Sequence, residues 1–174
     1  MGYAGGTKPN PTYFSIGDHT EAFQVDYDPE RISYEELVEL FWKSHRPSDQ
    51  SFSTQYQTVL FYANAEQERT AIASRDRVAE GGGRVLTRVE PLRSFYQAED
   101  YHQKYYLRSN PRLRDYYTSI YPDADDLMNS TAVARVNGYL AGYGTRRELE
   151  AEAERLGLTQ AVLDQLLERV RERR

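Results

Sequence analysis

The fold is decided by three short segments near the start of the chain, Gly2-Tyr3-Ala4-Gly5-Gly6, Asn10-Pro11-Thr12-Tyr13 and Asp18-His19-Thr20-Glu21. Glycine and proline recur through residues 1–20 without an apolar period, which predicts a loop. From Glu21 to Tyr27 the side chains alternate with the two-residue period of a strand, which Asp28-Pro29 ends. We therefore expect Glu21 at the mouth of a strand that follows a glycine-rich loop.

Helices and strands alternate downstream of this segment. Ser33 and Glu36 have the spacing of a capping box, and Asn64 followed by Gln67 predicts a second helix start. This alternation predicts an α/β arrangement. Helices are expected from Ser33, from Asn64 to about Glu80, from Ala98 to Ser109, from Ser130 to Leu140, from Thr145 to about Leu156 and from Thr159 to the end, with a tyrosine-rich helix or turn region from Arg112 to Asp126 and strands from Thr58 to Tyr62 and from Val85 to Glu90.

The last predicted helix carries an apolar stripe. Its members recur at the spacing of one helix face, which is most often a core or intrachain packing face. They are Val162, Leu163, Leu166, Leu167 and Val170.

Length and charge exclude several classes of protein. The chain has 174 residues, a formal net charge of −5 and a pI near 5.3. Nucleic-acid binding needs a basic patch that displaces counterions from phosphates, so we expect no nucleic-acid partner. No apolar run has the length of a membrane span and no signal-peptide pattern is present, so the prediction is a cytoplasmic protein without a membrane partner.

The sequence contains no cysteine, which excludes a thiol nucleophile and thiolate metal sites within it. His19 and Glu21 match one half of a zinc-deaminase signature, but the Cys-x-x-Cys half is absent. The three histidines, His19, His45 and His102, lack the spacing of a helical zinc site. We therefore predict neither a metal ion nor another cofactor.

Many short blocks along the chain resemble the peptide methionine sulfoxide reductase A family, in that family's order. Together they extend over most of the chain. Besides the three opening segments they are Tyr27-Asp28-Pro29, Ile32-Ser33-Tyr34, Phe41-Trp42, Gln55-Tyr56, the run from Phe95 to Gln103, Ser130-Thr131-Ala132 and the run from Val136 to Gly142.

The resemblance implies a fold and a domain organisation. The expected fold class is α/β (α+β), a two-layer sandwich with the ferredoxin-like core of this family and added C-terminal helices. Residues 1–126 are expected to form the N-terminally shortened reductase-like domain. Residues 127–174 are expected to form a C-terminal helical extension packed on the same domain.

The resemblance also implies roles for three residues. In the family a cysteine thiolate attacks the sulfur of methionine sulfoxide, a glutamic acid protonates the sulfoxide oxygen, and two tyrosine hydroxyls bind that oxygen. By motif match the acid is Glu21 and the tyrosines are Tyr13 and Tyr56. On the residues alone, Glu21 is a strand-end surface carboxylate and the two tyrosines are rim aromatics.

The chain departs from the family pattern in three respects. The Gly-Cys-Phe-Trp segment with the nucleophile would precede residue 1, no recycling cysteines are present, and Ser51 stands where many members have an aspartate. Neither a serine nor a tyrosine hydroxyl attacks sulfoxide sulfur usefully near neutral pH.

Three interpretations follow from these departures. The first is a peptide-methionine (S)-S-oxide reductase that acts on methionine sulfoxide in peptides and proteins, with a thioredoxin-type reductant, if an upstream cysteine exists. The second is a cysteine-free pseudoenzyme that binds methionine sulfoxide peptides without turnover. The third is a chain that associates with a partner chain supplying a missing strand.

Overall fold

A computed structural model describes residues 1–170 of the chain. Its internal contacts separate two compact units, Met1–Glu99 and the segment that begins at Asp100. The boundary expected from the sequence, between residues 126 and 127, lies inside the helix Ala124–Asn129 and stays a prediction. Within residues 1–170, no helix combines the length and the apolar character needed to cross a membrane.

The described elements form an α+β structure, as predicted. The strands are β1 (Gly2–Ala4), β2 (Thr20–Ala22), β3 (Val59–Tyr62), β4 (Arg88–Pro91) and β5 (Phe95–Gln97). The α-helices are α1 (Tyr34–Lys43), α2 (Ala65–Glu80), α3 (Tyr105–Arg108), α4 (Pro111–Ile120), α5 (Ala124–Asn129), α6 (Thr131–Leu140), α7 (Arg146–Glu152) and α8 (Gln160–Leu167), and single 3₁₀ turns cover Thr54–Tyr56 and Asp100–His102.

Strand β1 is the centre of a three-stranded antiparallel sheet of order β2-β1-β5. The prediction that residues 1–20 form only a loop is therefore wrong. A Cβ added to Gly2 would lie 2.3 Å from the Phe95 ring and 2.5 Å from the Tyr96 carbonyl oxygen. Glycine here allows a close strand approach, and pairing on both sides overrides its usual preference for loops.

Strand β2 is shorter than predicted, because it ends at Ala22 instead of Tyr27. Among residues 1–170 it pairs only with the three residues of β1, with Glu21 opposite Tyr3. Beyond that partner the alternating pattern has no neighbour to bind, and Phe23 and Val25 are exposed.

Helices α1 and α2 begin where the sequence indicates. The Ser33 hydroxyl accepts from the Glu36 N–H, and the Glu36 carboxylate accepts from the Ser33 N–H, so the capping box is confirmed. The Asn64 side chain likewise accepts from two N–H groups of the first turn of α2. The two helices pack together, and the Trp42 indole N–H donates to Ser74 Oγ at 2.9 Å.

Strands β3 and β4 form a separate parallel pair. Strand β4 begins at Arg88, later than the predicted Val85, because the N–H groups of Leu86 and Thr87 both donate to the carbonyl oxygen of Pro47. The side chains of β3 are only half-buried, and helix α2 packs against both strands.

The second unit is built from helices around one apolar cluster. The helix predicted from Ala98 to Ser109 is largely wrong: a 3₁₀ turn covers Asp100–His102, and only Tyr105–Arg108 is α-helical. Lys104, at φ 50°, interrupts the helical path between them. The cluster consists of Leu107, Leu113, Tyr117, Leu127, Val133, Val136, Tyr139, Leu149, Leu156, Leu166, Leu167 and Val170.

The C-terminal stripe packs as predicted. Leu166, Leu167 and Val170 belong to the buried cluster, and Val162 and Leu163 pack against it. Helix α8 ends at Leu167, and the part of the predicted helix over residues 171–174 lies outside the described residues.

Candidate active site

Glu21 occupies the middle of strand β2 and is half-buried. The Gln55 side-chain amide donates to Glu21 Oε1 at 2.7 Å, which fixes the direction of the carboxyl group. Gln55 belongs to the 3₁₀ turn Thr54–Tyr56, so this bond also connects the strand to the segment that carries Tyr56.

A second contact holds the same turn against β2. Thr20 is buried, and its hydroxyl lies 3.0 Å from each of the Gln55 and Gln57 carbonyl oxygens. The Tyr56 N–H donates to the Ser53 carbonyl within the turn. These contacts position Tyr56 beside Glu21. The two segments are distant in the sequence, because Gln55 lies 34 residues after Glu21.

Tyr13 and Tyr56 are hydrogen-bonded through their side chains. This bond is the main cause that raises the pKa of Tyr56 above its ordinary value, with smaller contributions from burial and from the charges of Tyr13 and Glu21. A raised pKa keeps the Tyr56 hydroxyl protonated, so it remains a donor near neutral pH. The structure thus brings the three residues expected from the sequence to one place.

Tyr13 is held by Glu99, a residue to which sequence reasoning assigned no role. Glu99 Oε1 accepts from the Tyr13 N–H at 3.1 Å, and Oε2 accepts from the Tyr3 hydroxyl at 2.6 Å. Tyr3 lies in the central strand, so one carboxylate connects the Tyr13 loop to the sheet. Glu99 was visible in the motif from Phe95 to Gln103, but the motif does not reveal a contact across 86 residues.

His19 maintains the loop ahead of the site. The ring is fully buried, its Nδ1 accepts from the Gly6 N–H at 3.1 Å, and its Nε2 lies 2.7 Å from the Lys8 carbonyl oxygen. Since Nδ1 accepts, Nε2 carries the proton and donates. Both ring nitrogens are hydrogen-bonded to the backbone, which gives His19 a structural role.

Asp18 completes this loop by accepting three hydrogen bonds. Its carboxylate accepts from the Thr7 hydroxyl and N–H, both at 2.8 Å, and from the Lys8 N–H at 3.1 Å. These bonds, led by the Thr7 hydroxyl, lower the pKa of Asp18 to about 2. The loop between β1 and β2 is therefore bound to ionised Asp18 at neutral pH.

Ser51 stabilises its own turn. Its hydroxyl accepts from the Ser53 N–H at 3.1 Å, and its carbonyl accepts from the Gln57 side chain at 3.4 Å. The serine thus supports the backbone ahead of Tyr56.

The groups at this site can bind an oxygen atom that is a strong hydrogen-bond acceptor. Two phenol hydroxyls and one carboxyl group converge, and these groups can donate hydrogen bonds or a proton to a strong acceptor such as a sulfoxide oxygen. In residues 1–170, histidine and acidic side chains form no group of three suited to a metal ion. The sequence contains no thiol.

Family models match nearly the whole chain. Residues 1–135 match the model described as peptide methionine sulfoxide reductase. Residues 123–172 match the model described as the helical domain of selenoprotein methionine sulfoxide reductase A.

Individual relatives agree with this assignment. The chain is 38% identical over 162 residues to the peptide methionine sulfoxide reductase of Drosophila melanogaster, covering 91% of this chain and 65% of the relative. It is 41% identical over 128 residues to the enzyme MsrA of Methanothermobacter thermautotrophicus, covering 67% of this chain and 75% of the relative. The chain therefore spans slightly less than two thirds of the fruit-fly relative's length.

A solved structure shows the same fold. The reduced form of Mxr1 from Saccharomyces cerevisiae superposes with a TM-score of 0.56 at 30% identity, covering 64% of this chain and 70% of that one. On these matches and on the residues assembled at the site, the chain belongs to the peptide methionine sulfoxide reductase family.

Proposed function

We propose that this chain provides the sulfoxide-binding and proton-donating part of a peptide-methionine (S)-S-oxide reductase. The observation that supports the proposal is the cluster of Tyr13, Glu21 and Tyr56, in which the two hydroxyls are hydrogen-bonded and the carboxyl is oriented by Gln55. In the proposed complex the sulfoxide oxygen of the substrate replaces the hydroxyl-hydroxyl bond and accepts from both tyrosines.

The proposed reaction needs a thiol, which must come from outside this sequence. A thiolate attacks the sulfoxide sulfur and forms a sulfur-sulfur bond, while Glu21 gives a proton to the oxygen and the sulfur-oxygen bond breaks. The oxygen then bonds to the cysteine sulfur as the sulfur-sulfur bond breaks and the thioether leaves. Overall one thiol and one sulfoxide give one sulfenic acid and one thioether, so the cysteine is oxidised and the methionine is reduced. A thioredoxin-type reductant for that sulfenic acid belongs to the proposal only where such a cysteine is present.

Binding tests the site without requiring turnover. The ligand is a peptide with one methionine (S)-sulfoxide between serines, and its methionine counterpart is the control. Isothermal titration calorimetry should give tighter binding of the sulfoxide by about tenfold, since two donor bonds to a strong acceptor are gained. Tyr13→Phe and Tyr56→Phe should each lower the affinity for the sulfoxide peptide and leave the affinity for the methionine peptide unchanged. Equal affinities of the wild-type chain for the two peptides would disprove the site.

The intact mass of the native protein separates the proposal from the alternative of a binding protein, since both predict no turnover by this cysteine-free chain alone. Because the chain has no cysteine, dithiothreitol with the sulfoxide peptide should give no methionine above the protein-free control. Intact mass of the protein from its native cells then shows whether a longer, cysteine-bearing product exists. Tight sulfoxide binding with no such product would favour the pseudoenzyme.

A further inference from the structure

The two carboxyl oxygens of Glu21 have different surroundings. Oε1 accepts a hydrogen bond from the Gln55 side-chain amide at 2.7 Å. Oε2 has no hydrogen-bond partner in the part of the chain that the structure describes, residues 1–170. An ionised carboxylate can accept on both oxygens, so one oxygen is engaged by the fold and the other is left for a ligand.

This asymmetry decides where an acid proton lies. An amide N–H can only donate, so the oxygen that it binds must accept. In a neutral carboxyl group the carbonyl oxygen is the better acceptor, and the hydroxyl oxygen carries the proton. With Oε1 bound to the Gln55 N–H, the proton of neutral Glu21 therefore lies on Oε2, the oxygen that is open to a ligand.

Gln55 is itself held against strand β2. Its carbonyl oxygen lies 3.0 Å from the hydroxyl of buried Thr20, the residue before Glu21. The same hydroxyl lies 3.0 Å from the carbonyl oxygen of Gln57. Two neighbouring residues of the strand thus bind the turn, one through its hydroxyl and one through its carboxyl group. Because the two backbones are already held together, the amide-carboxyl bond costs less conformational entropy than a contact between two mobile side chains.

No cation neutralises Glu21. Among residues 1–170, no lysine, arginine or histidine forms an ion pair with it. The titratable groups around it are the hydroxyls of Tyr13 and Tyr56 and, opposite it on β1, Tyr3, whose hydroxyl binds Glu99. The Gln55 N–H is therefore the donor that stabilises a carboxylate at Glu21, and such a bond is about twice as strong to a charged acceptor as to a neutral one.

We propose that Gln55 is a positioning residue for the proton transfer, which keeps the proton of Glu21 on Oε2 and stabilises the carboxylate that remains. In the transfer the O–H bond at Oε2 breaks, its electron pair stays on the carboxylate, and a new O–H bond forms at the sulfoxide oxygen. The Gln55 bond strengthens as this charge develops, so it favours the transfer itself over the binding that precedes it. This inference rests on the proposed function, in which Glu21 gives the proton.

The first test needs no ligand. Gln55→Met removes the amide and keeps a side chain of similar length, so the Glu21 carboxylate loses its donor. Carbon NMR of the Glu21 carboxyl group, assigned with Glu21→Gln, should show its titration midpoint about one pH unit higher in Gln55→Met than in the wild type. Gln57→Met is the matched control, because the Gln57 amide donates to the Ser51 carbonyl oxygen, and it should leave the midpoint unchanged.

The direction of the change tests the proposal. An unchanged midpoint in Gln55→Met would overturn it. A lower midpoint would also overturn it, because the amide oxygen would then be accepting the acid proton and holding it back from the ligand.

The second test measures affinity for the serine-flanked methionine (S)-sulfoxide peptide by calorimetry at a pH between the two midpoints. There Gln55→Met still carries the proton that the wild type has lost, so it should bind the sulfoxide peptide more tightly, by up to about tenfold. A merely structural role of Gln55 predicts weaker binding at every pH and would contradict the proposal. If neither chain prefers the sulfoxide peptide to the methionine peptide, the proposed function fails, while the NMR titration still decides the role of Gln55.

Discussion

In the unit that begins at Asp100, large apolar side chains from α3 to α8 meet in one buried cluster, whereas in Met1–Glu99 buried polar side chains connect loops to short strands. His19, Thr20 and Thr87 are buried in the first unit, and each binds a backbone carbonyl or another side chain there. The first unit also exposes Phe14, Phe23 and Phe52, while the apolar groups of the second unit lie mostly inside.

The two units are therefore stabilised in different ways, the second by apolar packing and the first largely by buried hydrogen bonds. A cluster of apolar side chains loses stability in proportion to the volume removed, whereas a hydrogen-bonded frame loses it when one buried polar group is left without a partner. The residues of the candidate site are held in place by the hydrogen-bonded frame of the first unit. We therefore expect the positions of Tyr13, Glu21 and Tyr56 to be sensitive to polar substitutions far from them in sequence.

The largest expected effect is in the helical cluster. Leu113 is fully buried, and Leu113→Ala should lower the free energy of unfolding of the second unit by about 2–5 kcal/mol, because it leaves a cavity among packed side chains. Urea denaturation followed by far-UV circular dichroism measures this change. Ile120→Ala, at an exposed position of the same helix, is the control, and an equal loss in both variants would contradict a packed cluster.

The next effect tests the polar frame of the first unit. His19→Ala removes the partners of the Gly6 N–H and the Lys8 carbonyl and should cost about 2–3 kcal/mol. Trp42 is the sole tryptophan and lies in α1, so its fluorescence during urea denaturation reports on this unit. Hydrogen exchange of α4 and α6 should stay unchanged, and a loss of protection there would contradict the separation of the two units.

Substitution of Glu99 tests whether the hydrogen-bonded frame of the first unit affects ligand binding. Glu99→Ala removes the acceptor of both the Tyr13 N–H and the Tyr3 hydroxyl, so Tyr13 is held less firmly. Affinity for the serine-flanked sulfoxide peptide should fall by about threefold to tenfold, with no change for the methionine peptide. Glu99→Gln keeps one acceptor and should lose less, so a larger loss in the glutamine variant would argue against this positioning role.

The smallest expected effect is on the pH dependence of the stability of the first unit. The pKa of Asp18 is about 2 in the folded chain and about 4 in an unfolded one, so the folded state favours the ionised carboxylate. Its stabilising contribution is complete above about pH 4 and is lost as the pH falls through about 2. The difference in urea midpoint between wild type and Asp18→Asn, read from Trp42 fluorescence, should shrink over this range, and a constant difference would contradict the assignment.

Local signals in the sequence predicted much of the structure. The predicted capping box of Ser33 with Glu36 is confirmed, and the helix predicted from Thr145 begins with a second capping box, of Thr145 with Glu148. Each box involves side chains only three residues apart. The missed elements depend on distant partners instead. Strand β1 exists because β2 and β5 pair with it, and the helix expected from Ala98 is broken at Lys104 by a backbone conformation that no local pattern indicates.

The candidate site shows the same limit. Motif matches selected Tyr13, Glu21 and Tyr56, and the structure places them together. The residues that hold them, Gln55 and Glu99, gave no separate signal, because a glutamine in a turn and a carboxylate after a strand look like ordinary surface positions. Their roles depend on contacts that only the folded chain reveals.

The most direct measurement of the central claim is an NMR titration of the chain with ring-labelled tyrosine. Addition of the serine-flanked methionine (S)-sulfoxide peptide should shift the signals of Tyr13 and Tyr56, while buried Tyr117 in the second unit stays unchanged. The methionine peptide should move none of the three. Shifts of Tyr13 and Tyr56 that are equal for both peptides, or absent for both, would contradict the account of this site as a binding place for the sulfoxide oxygen.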